Sequence, residues 1–99
     1  MAELLAAQEI DERLGALEQW HRDGDEIVRD VECEDFAATI AAVNAVAEVA
    51  EAADHHPDIL VHGWNKVRLS VTNHSAGGLT QADFDLAAEI DRLPGIQQR

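Results

Sequence analysis

The stretch EAADHHPD, Glu51 to Asp58, sets two histidines side by side, the first of them four residues after a glutamate and the second just before a proline. Histidine changes charge near neutral pH, so it can both give and take a proton. Glu51 and His55 are four apart, which stacks them on one helix face within contact range, where the carboxylate orients the ring and favours its protonated form. His62 and His74 follow within the same twenty positions. Three readings compete. One is general acid–base chemistry by the histidines. Another is a metal site drawn from His55, His56, His62, His74 and Glu51. The third is polar residues gathering at a helix end and at strand ends because those places are wet. Adjacent residues rarely aim at one ion, and the spacing matches neither HExxH nor a cysteine–histidine knuckle, so no metal is expected. Nucleophilic chemistry is weaker still. Cys33 lies between Glu32 and Glu34, whose charges oppose a thiolate, and Ser70 and Ser75 have no elbow motif around them. Gly77 and Gly78 lack the lysine of a phosphate loop.

The elements that must position these residues follow from periodicity. Ile10, Leu14, Leu17 and Trp20 have helical spacing. HRDGDE then breaks the pattern with a turn on Gly24. Ile27 to Cys33 alternates and predicts one or two short strands. Asp35 is a helix N-cap, and Phe36, Ile40, Val43, Ala47 and Ala50 form the stripe of the next helix. Pro57 disfavours helical geometry at His56, so that helix is expected to end near His55. Ile59 to Trp64 and the run from Lys66 to Thr72 predict a strand pair, with Val67, Leu69 and Val71 on its inner side. Thr80 and Asp83 resemble a capping box before a last helix carrying Phe84, Ala87, Ile90 and Leu93. The order α-β-β-α-β-β-α implies an α+β sandwich, its sheet antiparallel and covered by helices on one face.

With 99 residues the chain, 1–99, reads as a single domain with a modest core, for which oligomerisation is a natural supplement. Its net charge of −13, from 20 acidic and 7 basic residues, repels nucleic acid and disfavours direct binding to it. No unbroken apolar run of about 18 residues is present, so no membrane span is expected. The N-terminus does not read as a secretory signal, and the cytoplasm is the default location. A lone cysteine excludes an intramolecular disulfide.

EAADHHPD, then Trp64, NKVRLSVTNH and GGLTQADFDLAAEID, together resemble the pterin-4a-carbinolamine dehydratase family. Glu51, His55, His56, Pro57, Trp64, His74 and Asp83 fall on the family pattern in order, and the likeness runs from Trp20 to Leu93. Val31 and Cys33 stand where the family usually has aromatics, and Asn73 where threonine is common. The resemblance implies a four-stranded antiparallel sheet with three helices on one face, and assembly into homodimers or homotetramers. It implies dehydration of a 4a-hydroxytetrahydropterin to a quinonoid dihydropterin, in tetrahydrobiopterin-type cofactor recycling, with no metal or organic cofactor. His55, oriented by Glu51, and His74 would handle the protons, and His56 would position the pterin. Asp54, Thr72, Asn73 and Ser75 would line the pocket. The competing implication is an interaction module, a dimerisation cofactor for a transcription-related partner with little or no turnover.

Overall fold

Alternation builds the sheet. The computed structural model describes residues 3–96, with the elements α1 (Ala7–Leu14), β1 (His21–Asp23), β2 (Glu26–Glu32), α2 (Phe36–Ala53), β3 (Asp58–His62), β4 (Lys66–Val71) and α3 (Gln81–Asp91). On β4 the buried Val67, Leu69 and Val71 alternate with Lys66, Arg68 and Ser70, which period two sends to the opposite face. β2 buries Ile27, Arg29 and Val31 on the same side, and Val28 between them is buried as well. The strands lie in the order β1-β2-β4-β3, and every neighbour is antiparallel. Ile10 of α1, Ala42 and Val46 of α2, and Phe84, Leu86, Ala87 and Ile90 of α3 join the inner strand residues in one core. The fold is therefore the α+β arrangement that the sequence implies, a four-stranded antiparallel sheet with three helices.

Three details differ from the periodicity reading. α1 stops at Leu14, and the chain reaches Trp20 through turns closed by Leu17 N–H to Leu14 and Trp20 N–H to Leu17. The first strand lies upstream of Gly24, not beyond it. Gly24, at φ +63°, turns β1 into β2 in register Asp23 opposite Glu26. On α2 the buried residues are Thr39, Ala42, Val46 and Ala50, whereas Phe36 and Ile40 are 55% and 38% exposed. The helix is apolar nearly all round, so its pattern specifies no single inward face. Close approach to the sheet favours the small side chains, and Thr39 is buried because its hydroxyl donates to the Asp35 carbonyl at 2.7 Å.

By length and composition α2 could cross a bilayer, with 18 residues at a mean hydropathy of 1.4, yet only 22% of it is buried in the monomer. Alanines raise its hydropathy, and the helix carries Asn44, Glu48 and Glu51 while packing on α3 and β4.

The inner face of the sheet holds one polar network. Arg29 donates from Nη1 to Asp91 and from Nη2 to the Ile96 carbonyl at 2.8 Å, and Trp20 donates its indole N–H to the same Asp91 oxygen at 2.8 Å. These bonds tie β2, the segment before β1, and the end of α3 together.

On the outer face Arg68 binds Asp30 across the strands through Nε at 2.9 Å and Nη2 at 3.1 Å. The Arg68 hydrogen bond holds the Asp30 carboxyl below its ordinary value, and burial partly opposes it. A depressed folded-state pKa contributes stability above the unfolded value, and the contribution is lost as pH falls through the folded value. Asp30→Asn should therefore lower stability at pH 7 by less than about 1 kcal/mol, since the pair is exposed. In urea melts the difference between variant and parent should vanish as pH falls through the depressed Asp30 value.

Candidate active site

The end of α2 decides where the two histidines go. Asp54 adopts the left-handed conformation at φ 52° and ψ 42°, and its N–H donates back to Ala50 and Glu51. The His55 N–H also reaches the Ala50 carbonyl, at 3.1 Å. Aspartate tolerates this region better than most side chains. Reversing the backbone here breaks the i, i+4 stack, so Glu51 does not meet His55. Its carboxylate stands 3.7 Å from His56 Nε2 instead, with both side chains exposed. The expectation that Glu51 orients His55 is corrected by that turn.

His55 is held from another element. Its Nε2 lies 2.5 Å from Oδ1 of Asp83, in the first turn of α3. Asp83 is 0% exposed, and its Oδ2 accepts from the Thr80 N–H at 2.7 Å and from the Thr80 hydroxyl at 3.1 Å. Because the carboxylate accepts, the ring donates, which fixes the proton on Nε2. The sequence showed Asp83 only as a helix-start residue and as the last member of the resembling pattern. Neither points to a contact 28 positions away with His55.

The other wall comes from the end of β4. Thr72 is tied by its hydroxyl to the Asp25 carbonyl. Asn73 closes a tight loop: its carbonyl accepts from Gly77 and Gly78, its N–H donates to Gly78 at 3.1 Å, and its side-chain oxygen accepts from the Ala76 N–H at 2.9 Å. Gly77, at φ +82°, supplies the positive φ that the loop requires. His74 and Ser75 stand on this loop. A cavity of about 230 Å³ opens between the two walls, lined by Asp54, His55, His56, Thr72, Asn73, His74 and Ser75. It is small beside the roughly 300–1,000 Å³ of drug-sized sites, and suits a compact ring. Glu51 is not among the lining residues.

A broader hollow of about 510 Å³ lies on the outer face of the sheet, lined by Asp30, Val31, Glu32, Leu60, His62, Lys66 and Arg68. Its central Asp30 and Arg68 satisfy each other. The smaller cavity has the stronger claim to chemistry, because three imidazoles and polar side chains from two elements meet there. His62 faces the other hollow and does not join them. Among the described residues, no three His, Cys, Asp or Glu side chains group closely enough to hold a metal ion.

The model of the family described as pterin 4 alpha carbinolamine dehydratase matches residues 3–93. The chain belongs to that family. A relative from Roseiflexus sp. strain RS-1, provisionally named a pterin-4-alpha-carbinolamine dehydratase, is 54% identical over 94% of this chain and 99% of its own length. A relative from Acidobacterium capsulatum with the same provisional name is 53% identical over 90% of this chain and 96% of its own. Among solved structures, a transcriptional coactivator/pterin dehydratase from Brucella melitensis superposes with a TM-score of 0.82 at 29% identity, covering 88% of this chain and 94% of that one.

Within the dehydratase pattern the residues divide by place. Glu51, His55, His56, Pro57, His74 and Asp83 collect at the end of the sheet where α2 stops and α3 starts. Trp64 lies at the β3–β4 hairpin tip, roughly 17 Å of strand away. It is exposed, and it lies in the three-residue turn Gly63 to Asn65, where Trp64 and Gly63 both have positive φ, 58° and 57°. The aromatic of the dehydratase pattern is thus no wall of this cavity.

Proposed function

We propose that the chain removes water from a 4a-hydroxytetrahydropterin to give a quinonoid dihydropterin, as a cytoplasmic step of tetrahydrobiopterin-type cofactor recycling. The observation that carries this reading is the meeting of His55, His56 and His74 at one small cavity, in a chain of the dehydratase family. The C4a–O bond breaks readily only if the oxygen is protonated as it leaves. N5 must release its proton as the C4a–N5 double bond forms. One proton is given, one is taken, and water departs, so the balance closes with side chains alone. Each transfer by a positioned imidazole contributes about 10²–10⁴-fold. His55 and His74 handle the protons. His56, supported by Glu51, positions the ring system, and Asp54, Thr72, Asn73 and Ser75 offer hydrogen-bonding groups to its polar edge.

The test is direct. Purified chain mixed with a 4a-hydroxytetrahydropterin is expected to accelerate formation of the quinonoid dihydropterin over buffer. His56→Ala should raise KM about tenfold and change kcat less, as loss of a positioning contact does. No acceleration by the parent chain would end the reading.

The interaction-module reading has its own support in the outer face of α2, where Phe36 and Ile40 are exposed, and in the B. melitensis neighbour, described as a transcriptional coactivator/pterin dehydratase. A stable partner in pull-down without turnover would favour it. The same apolar face suits a second copy, and the chain is proposed to work as a homodimer or homotetramer. Phe36→Glu is expected to lower the mass seen by light scattering; an unchanged mass would remove this face from the assembly.

A further inference from the structure

Thr80 and Asp83 form a capping box that is put together unusually. In the ordinary arrangement the N-cap hydroxyl accepts from the backbone N–H of the third helical residue, and the acidic side chain there reaches back to the N-cap N–H. The second bond is present, from the Thr80 N–H to Asp83 Oδ2 at 2.7 Å. The first is not made by the hydroxyl. The Asp83 N–H donates to the Thr80 carbonyl at 3.1 Å, and the Thr80 hydroxyl turns to the Asp83 carboxylate at 3.1 Å. Thr80 is 1% exposed and Asp83 0%, so neither group has water to fall back on. A hydroxyl diverted from the helix backbone to a buried carboxylate does little for the cap. It does restrain that carboxylate.

We infer that Thr80 is a positioning residue for the dehydration step: its N–H and hydroxyl hold one oxygen of Asp83 so that the other holds the His55 ring. With three donors on two oxygens, the carboxylate cannot rotate without losing a bond. The ring is fixed with its proton on Nε2, and Nδ1 is left as the nitrogen able to accept one. Without the hydroxyl, Asp83 keeps a single bond to Thr80 and gains a torsional freedom that passes to the imidazole. A misplacement of about 1 Å in a catalytic group costs as much as 10²-fold in rate.

The inference rests on the proposed dehydratase reading for its kinetic consequence, and the test has a second readout that does not. Thr80→Val removes the hydroxyl and keeps the N–H and the β-branched shape; Thr80→Ser keeps the hydroxyl. With ¹⁵N-labelled histidine at an alkaline pH where imidazoles are neutral, the parent and Thr80→Ser are expected to show His55 as the single Nε2–H tautomer. Thr80→Val is expected to show a mixture. In the dehydration assay Thr80→Val should lose about tenfold in kcat with KM within about twofold, and Thr80→Ser should stay within about twofold of the parent in both. A folded Thr80→Val with parental kcat and an undisturbed tautomer would overturn the inference, as would a parent ring already mixed between tautomers. If the parent has no dehydratase activity, the functional reading falls and the tautomer spectra alone decide the positioning role. Should Thr80→Val not fold, Thr80→Ala makes the same deletion with less bulk.

Discussion

Asp83→Asn is expected to lower kcat for the dehydration by about 10²–10³-fold, close to the loss expected for His55→Ala. The carboxylate of Asp83 offers an acceptor on each side, one to His55 and one to the two Thr80 donors. Asparagine is nearly isosteric but has one acceptor and one donor. If its oxygen faces Thr80, its NH₂ faces His55 and drives the ring proton to Nδ1, the wrong nitrogen. If its oxygen faces His55, its NH₂ confronts the Thr80 N–H in a buried site, at a cost of about 1–3 kcal/mol. Either outcome damages the site, and the two are separable, since the first appears in kcat and the second in a urea melt. Groups that act as a unit are not additive, so His55→Ala/Asp83→Asn should be no slower than His55→Ala alone. His74 reaches the cavity on a different element, and the loss in His74→Ala should multiply with that of Asp83→Asn. Parental kcat together with parental stability in Asp83→Asn would leave the His55–Asp83 contact without a part in the chemistry.

What the sequence revealed depended on how local the controlling interaction is. Alternation along Lys66 to Val71 located the inner face of the sheet, because a strand side chain's direction depends only on its own position. Pro57 marked the end of α2 to within two residues, since its ring excludes helix at the residue before it. The orientation of α2 was hidden. With alanine or valine at most positions, several faces satisfy an apolar pattern, and only the distance to the sheet chooses among them. The Glu51–His55 pairing failed for a sharper reason. The i, i+4 rule holds while the helix does, and the left-handed Asp54 lies between the two residues. That conformation is recognisable when glycine adopts it; an aspartate gives no such signal. The partner of His55 was beyond any local rule, because it is brought by the packing of α3 beside the end of α2. The one local trace of it is the capping pattern at Thr80 and Asp83, which uses one carboxylate oxygen and leaves the other for a second element.

The largest loss of stability is expected not in the cavity but under the sheet, from Asp91→Ala. The Arg29 side chain is 3% exposed and that of Asp91 is 25% exposed. Removing Asp91 leaves a guanidinium in the core with, among the described residues, only the Ile96 carbonyl as a partner, and leaves the Trp20 indole N–H without its acceptor. Breaking a buried pair in this way costs about 3–5 kcal/mol, because the surviving charge has lost both water and counter-charge. Removing the other partner is milder. Arg29→Met deletes the buried cation, fills much of its volume, and leaves Asp91 near solvent with Trp20 still donating to it. The cost of Arg29→Met should therefore be smaller by about 1–2 kcal/mol. For a domain of this size each 1 kcal/mol moves Tm by about 4–8 °C, so the two variants should separate clearly in thermal melts, with Asp91→Ala at or near the limit of folding. The comparison isolates burial from pairing, since both variants break the same ion pair and differ in which charge survives. Equal losses would mean that the attraction itself, and not the stranded guanidinium, sets the cost. A loss below about 1 kcal/mol in Asp91→Ala would mean that Arg29 finds water by a movement of the chain after α3.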